Sequence, residues 1–334
     1  MRPRRAEAAL TWNGAAVTTD MIGSKGEVTY TDPADGESDT IDITINDRDA
    51  QWAGDWLPQK GDTLTAQILI YDWDAEGDDR SLDCGSFTLD DYNFSGWPRT
   101  GTISGVSVPA DTSFKTTNRT KTWEKATLQA IGQEITARAG ISLVWDVEGG
   151  DVPIETVEQT EQNDCEFYTQ LCGTYGLCLK LYAQKLVVYD REAYKAKEPA
   201  HTIRKEDIQT WNWHTKLEGT YTGGEYTYTD PTTEEEIKAT IGGGDRILKE
   251  SGKADNAADA QRKITALVNK ANHGATTLTV TIQGRPGLVA TQCVTVEGMG
   301  GAIDGKYYID SAASHIGSGY TMDLELSKVE GGSL

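Results

Sequence analysis

The stretch Asp72-Trp73-Asp74-Ala75-Glu76-Gly77-Asp78, closed by Asp83, comes nearest in this sequence to a metal site. Carboxylates at positions one, three, five and twelve, with Gly at six, resemble a calcium loop, where hard oxygen ligands surround the ion. Arg80 falls at position nine, however, and Asp replaces the bidentate Glu at twelve. The flanks read as strands, so an acidic hairpin loop is the better account. His201, His214, His273 and His315 sit in unrelated segments and form neither H-E-x-x-H nor H-x-x-x-H. His214, between alternating residues beside Trp211 and Trp213, reads as a strand-surface or barrel-rim residue. No Ser lies in G-x-S-x-G. Gly242-Gly243-Gly244-Asp245-Arg246 lacks the Lys-Ser/Thr end of a P-loop and reads as a flexible loop.

The remaining chemistry-bearing residues have plainer uses. Cys84, Cys165, Cys172, Cys178 and Cys293 show no C-x-x-C spacing, and their odd number argues against a disulfide framework. Small core residues are a better account than zinc ligands. Trp52, Trp56 and Trp73 can stack on sugar, but such residues more often bridge a small core or an interface. Glu234-Glu235-Glu236 reads as a solvated turn. No carboxylate pair stands out for glycosidase work in so acidic a chain. No catalytic residue, cofactor site or metal site is assigned.

Charge narrows the partners. The 334 residues hold 52 Asp and Glu against 31 Lys and Arg, a formal net charge of −21. Phosphate contacts need Lys and Arg, so specific nucleic-acid binding is not expected. An anionic membrane surface is equally unsuited. No run approaches eighteen apolar residues, so no membrane anchor is expected. The start, Met1-Arg2-Pro3-Arg4-Arg5 and onward, is too short and polar for a signal-peptide core, which points to synthesis in a cytoplasm.

The elements that must carry these residues fall in three blocks. From Val28 to Val108 short strands dominate: Asp39 to Asp47 alternates apolar and polar, and Leu64–Tyr71, Phe87–Asp90 and Gly101–Val108 follow. From Thr122 the period becomes helical, with Thr122 as cap, Glu124 in the first turn, and Ala126, Leu128, Ile131 and Ile135 on one face. After a strand from Ile141 to Asp146 and a polar stretch, Asp164 is expected to cap a second helix ending at Gly176. A hairpin of Leu177–Tyr182 and Lys185–Tyr189 follows. Strands return from His201, interrupted by a helix near 256–272.

The two strand-rich ends echo one another. Gly85-Ser86-Phe87-Thr88-Leu89-Asp90 and Gly305-Lys306-Tyr307-Tyr308-Ile309-Asp310 both place an aromatic two, an aliphatic four and an Asp five residues after Gly. Gly61-Asp62-Thr63-Leu64-Thr65-Ala66 and Gly287-Leu288-Val289-Ala290-Thr291-Gln292 precede them. Chance hairpin likeness and true duplication both remain open on these short matches.

In order of elements, nearly the whole chain resembles the baseplate hub proteins of contractile phage tails, the late-control-D-like family. The resemblance rests on Asp39 to Asp47, Trp52, Trp56, Pro58-x-x-Gly61-Asp62, the Gly85–Asp90 strand, Ser107-Val108-Pro109, Thr120–Glu124, and Gln159 with Asn163-Asp164 before the Phe167–Leu171 helix. It implies a homotrimer with two barrel-like domains per chain, forming a pseudo-sixfold ring. Such a ring adapts a sixfold tail tube to a threefold central spike. Its implied partners are the spike, a tail tube protein or tube initiator, and other baseplate proteins. Its implied location is a virion or headless, bacteriocin-like particle assembled in a bacterial cytoplasm. An acidic channel would let DNA pass without sticking. The spike itself would be a separate protein, since no needle sequence follows the last barrel strand.

The expected fold class is therefore α+β, mainly β. Two small barrel-like domains (1–110 and 199–334) flank a mixed α/β middle domain (111–198), with a helix inserted in the second barrel region. The expected function is structural and non-enzymatic. The alternatives are a cell-wall hydrolase module, which needs a cleft with an acid–base cluster, and a tail-tip carbohydrate- or receptor-binding β-protein, which needs clustered outer aromatics.

Overall fold

The computed structural model describes residues 3–23, 26–107, 113–182, 185–230 and 233–329. The first block holds β1 (Arg5–Trp12), β2 (Ala15–Val17), the one-turn helix α1 (Thr19–Ile22), β3 (Glu27–Pro33), β4 (Thr40–Asn46), β5 (Thr63–Tyr71), β6 (Arg80–Ser95) and β7 (Thr100–Val106). The middle block holds α2 (Ser113–Thr116), β8 (Asn118–Thr127), α3 (Leu128–Arg138), β9 (Ser142–Asp146), β10 (Pro153–Asn163), α4 (Asp164–Thr174), β11 (Leu177–Tyr182), β12 (Lys185–Asp190) and α5 (Arg191–Ala196). The last block holds β13 (His201–Arg204), β14 (Ile208–Thr215), β15 (Gly223–Thr229), β16 (Glu236–Gly242), β17 (Ile247–Ser251), α6 (Ala257–Asn272), β18 (Thr276–Gln283), β19 (Cys293–Glu297), β20 (Gly305–Ile316) and β21 (Tyr320–Lys328). Val108 and Pro109 of the Ser107-Val108-Pro109 segment lie outside the described residues. No described helix is long and apolar enough to cross a membrane.

The chain is α+β and mainly β, but its two strand-rich ends do not close into barrels. They join in one sheet, in the order β14-β18-β21-β20-β3-β4-β7-β6-β5-β1-β2. Alternation puts Ile41, Ile43 and Ile45 of β4 and Leu278, Val280 and Ile282 of β18 on the covered face, all at most 1% exposed. These residues, with Phe87, Ile103, Tyr307, Ile309 and Leu324, form one hydrophobic cluster spanning both ends. Separate barrel cores would have kept the two sets apart.

Half of this sheet repeats the other half. The orders β5-β6-β7-β4-β3 and β19-β20-β21-β18-β14 are the same path. Leu64 pairs with Phe87, and Val294 with Tyr307. The Leu89 N–H donates to the Asp62 carbonyl at 2.9 Å, and the Ile309 N–H to the Gln292 carbonyl at 2.8 Å. Register shifts follow Leu89 and Ile309, leaving Asp90 and Asp310 as the unpaired extra residues. A bulge fixed at one motif position in both copies goes well beyond generic hairpin likeness. The echo has one correction. Gly61 corresponds to Thr291 rather than Gly287: both N–H groups donate to the matched Leu89 and Ile309 carbonyls, and both residues take positive φ, +95° and +73°. The copies meet where β20 pairs with β3, from Ser311 opposite Pro33 to Ile316 opposite Val28.

The middle block differs from expectation at both helix starts. Thr122 and Glu124 lie in β8, which pairs with β10; the latter is the stretch that reads as merely polar. Helix α3 starts five residues later than the Thr122 cap implies, with Thr127 Oγ1 accepting from Ala130 N. Trp123, Ala126 and Leu128 bring apolar residues close to helical spacing across a strand–helix junction, and burial decides it: Trp123 stacks on Phe167 at 5.1 Å. Asn163, not Asp164, caps α4, accepting from Glu166 N at 2.8 Å. The buried Asp164 is reserved for Arg138 and Arg119.

The helix α6 forms where its apolar spacing predicts. It belongs, however, to a separate unit with the three-stranded sheet β16-β15-β17, inserted between β14 and β18. Tyr226, Tyr228, Ala239, Ala260, Ile264 and Val268 form its core. The strands that return from His201 are therefore split between two sheets, β14 in the main one and β15 in the inserted one.

Candidate functional site

The residues singled out for chemistry do not converge. Asp74 and Asp78 both hold Arg80, at 2.9 and 2.7 Å. Asp72 Oδ1 accepts from Gly77 N at 2.7 Å, and Asp83 Oδ1 from Gly85 N at 3.0 Å. The Arg80 guanidinium also holds the Asp78 carboxyl below its usual range. The loop is thus closed on its own cation. Trp73 is buried, and its Nε1 donates to Gly284 O at 3.0 Å. Its ring lies 5.4 Å from Tyr320, so it ties one half-sheet to the other. Trp52 is buried between Trp12 and Trp56.

The histidines remain dispersed. His273 bonds Asp310 at 2.8 Å, His315 sits between Thr29 and Asp323 at 3.1 Å each, and His214 is exposed on β14. Burial pushes the Cys84 and Cys172 thiols up to about 12, far from a thiolate nucleophile. Among the described residues no group of three or more His, Cys, Asp or Glu side chains could hold a metal ion.

A polar cluster that sequence spacing does not reveal joins three parts of the fold. Lys180 of β11 pairs with Asp32 at the end of β3, donates to Pro33 O at 2.9 Å, and lies 3.7 Å from Asp39. Asp32 Oδ2 accepts from Ala290 N at 2.9 Å, and Asp39 Oδ2 accepts from Tyr30 OH at 2.8 Å. Beside it Arg191 pairs with Asp35, and Tyr189 OH donates to Ala34 O at 2.9 Å. Burial raises the Asp39 carboxyl to about 6, and Lys180 opposes that rise. The cluster fastens the middle block to the repeat junction. One lysine there faces two buried carboxylates from residues 148 and 141 positions away in sequence, so no local motif could announce it.

An extended, organised polar surface is the uncovered face of the main sheet. Register brings Glu27, Thr29 and Thr31 of β3 beside Thr44, Asp42 and Thr40 of β4, then Thr102 and Ser104 of β7, and Asn93 and Asp91 of β6. In the second half it aligns Asp323 and Glu325 of β21 with Thr281 and Thr279 of β18, then Thr210 and Asn212 of β14. Hydrogen bonds knit this face: Thr281 Oγ1 donates to Asp323 at 2.6 Å, and Thr210 to Thr281 at 2.8 Å. Hydroxyls, amides, carboxylates and two histidines make up the middle of these rows, with Arg5 on β1 and Lys216 just past β14 at the ends of the face. The middle of such a surface offers a polyanion little to grip.

No family model matches the sequence. A probable baseplate hub protein of Escherichia phage 186 is 23% identical across 95% of this chain and 91% of that protein. The chain resembles a phage baseplate hub protein from end to end. Solved structures agree in fold. The tail protein of Neisseria meningitidis MC58 superposes with a TM-score of 0.73 at 13% identity, over 97% of each chain. The 43 kDa tail protein of prophage MuSo2 from Shewanella oneidensis gives 0.71 at 17%, over 97% of this chain and 98% of its own. An E. coli component of the type VI secretion system gives 0.56 at 10%, over 99% and 78%. The similarity to hub proteins expected from Asp39–Asp47 and Gly85–Asp90 is thus found across the chain.

Proposed function

We propose that the protein is the structural hub of a contractile-tail baseplate, in a virion or a related particle, with no catalytic turnover. Three copies form a ring that takes the sixfold tail tube on one side and the threefold spike on the other. The observation that carries this reading is the internal repeat. Two half-sheets with one strand order, one bulge position and one turn conformation supply six similar units from three chains. The chain-level differences, above all the unit inserted between β14 and β18, recur only three times. A ring so built presents sixfold and threefold features together.

The uncovered sheet face lines the channel in this reading. The carboxylates of Glu27, Asp42, Asp91, Asp323 and Glu325 along it, with Arg5 and Lys216 at its ends, support passage of DNA without affinity. The test is the mass in solution, alone and with candidate tube and spike proteins. A trimer that binds the spike is expected. A chain that stays monomeric with both partners present overturns the reading.

A further inference from the structure

We infer that β14 of one copy pairs with the distal half of β6 in a second copy of this chain, in the register that already joins β20 to β3 within the chain. The inference rests on the trimeric reading and adds the joint that closes it.

The repeat supplies the template. On β20, the side away from β21 carries β19 along residues 305–308 and then β3 along residues 311–316. On β6, the side away from β7 carries β5 along residues 80–88, as expected. From Asp91 to Ser95, however, β6 has a strand partner on only one side among the described residues. Likewise β3 is paired on both sides, by β4 and β20, while among the described residues its counterpart β14 is paired only with β18. Each chain thus lacks one strand at two places, and each place has the shape of the other's missing partner. Backbone N–H and C=O groups along such edges are a ready template for pairing.

Burial shows the same deficit. Val28 on β3 is 4% exposed, and its equivalent on β14, Trp211, is 54% exposed. Ala312 and Ser314 on β20 are buried, while their equivalents Tyr92 and Phe94 on β6 are only half-buried.

Transferring the register fixes the pairs. Ser311 opposite Pro33 becomes Asp91 opposite Lys216. Ala313 opposite Thr31 becomes Asn93 opposite His214. Ile316 opposite Val28 becomes Gly96 opposite Trp211. Two features not used in the transfer agree with it. Asp91 and Lys216 are both exposed, and neither has an ion-pair partner among the described residues, yet the register makes them neighbours of opposite sign. The exposed indole of Trp211 meets a glycine that leaves room for it, beside Trp97, which is 86% exposed. Any other even shift separates both pairs.

Cysteine pairs test the register. Oxidation of the full-length Asn93→Cys/His214→Cys protein is expected to give covalent species larger than the monomer on denaturing gels, at protein concentrations where the mass in solution is trimeric. The off-register control Asn93→Cys/Thr210→Cys is expected to stay uncrosslinked. Charge reversal is the second arm. Asp91→Lys is expected to raise the concentration for half-assembly about tenfold, and Asp91→Lys with Lys216→Asp to restore it. A stable trimer that crosslinks only in the control pair, or in neither pair and without charge rescue, overturns the joint but leaves the trimer standing. A strictly monomeric protein overturns both.

Discussion

Lys180 pairs with Asp32 and stands 3.7 Å from Asp39, so one cation serves two buried carboxylates. The pair with Asp32 is the closer, and Asp39 bears the surplus charge. Burial accordingly raises the Asp39 carboxyl from 3.8 to about 6. The folded state therefore binds this proton more tightly than the unfolded chain. The stability it contributes is complete below about pH 4 and is lost as pH rises through about 6, an effect on the order of 2–3 kcal/mol. Asp39→Asn should abolish that component, so urea midpoints of the variant should fall less than wild type between pH 4 and 6.5. Parallel pH curves for the two proteins would contradict this.

Removing the cation exposes the opposite imbalance. Lys180→Met leaves Asp32 and Asp39 buried without their shared partner, which costs about 3–5 kcal/mol. Adding Asp32→Asn to it should recover a large part of that loss. Thermal melts of the three proteins measure both steps, and an unchanged Lys180→Met midpoint would remove the cluster's structural role.

Thr291 occupies a left-handed conformation that Gly61 occupies in the other half of the repeat. A β-branched residue is strained there, so Thr291→Gly should stabilise the fold by roughly 0.5–1 kcal/mol despite the looser unfolded chain. Gly61→Thr should destabilise by a similar or larger amount. Shifts of opposite sign in denaturant midpoint are the expected signature.

A methyl at Gly224 would lie 2.4 Å from Ile264 Cγ1 and 2.9 Å from Val268 Cγ2. That glycine lets α6 close on β15. Gly224→Ala should cost about 1–3 kcal/mol through overpacking. The loss should appear as faster amide exchange in α6 and β15–β17, with β4 and β18 unaffected. Slowed or uniform exchange would show that the inserted unit is packed otherwise.

The uncovered sheet face should ignore double-stranded DNA at low salt and acquire affinity when given cations. The Thr102→Lys/Thr279→Lys protein should bind, with a salt slope steeper by about 1 for each phosphate engaged. Retention of the wild-type protein on DNA would contradict the reading of this face.

How far sequence reading reached depended on how local the signal was. The alternation of Thr40–Asn46, the hairpin of β11 and β12, and the face of α6 are all short-range patterns, and each forms the expected element. The β8–α3 junction misleads because Trp123 to Leu128 satisfies strand and helix spacing at once, and only pairing with β10 decides. The match between Thr40-Ile41-Asp42-Ile43-Thr44-Ile45-Asn46 and Thr277-Leu278-Thr279-Val280-Thr281-Ile282-Gln283 lies open in the sequence, yet registers are needed to show that they are equivalent strands. The Asp32–Asp39–Lys180 cluster is a meeting of distant segments, and no periodicity could report it.

The hairpin tips of the two half-sheets are unlike. The β6–β7 tip carries Trp97 and Pro98, whereas the β20–β21 tip is Gly317-Ser318-Gly319. In the proposed ring they alternate, a bulky tip then a bare one, around a single rim. That rim is a keyway: a part with three matching recesses can seat only every second step, so a misrotated part cannot settle between them.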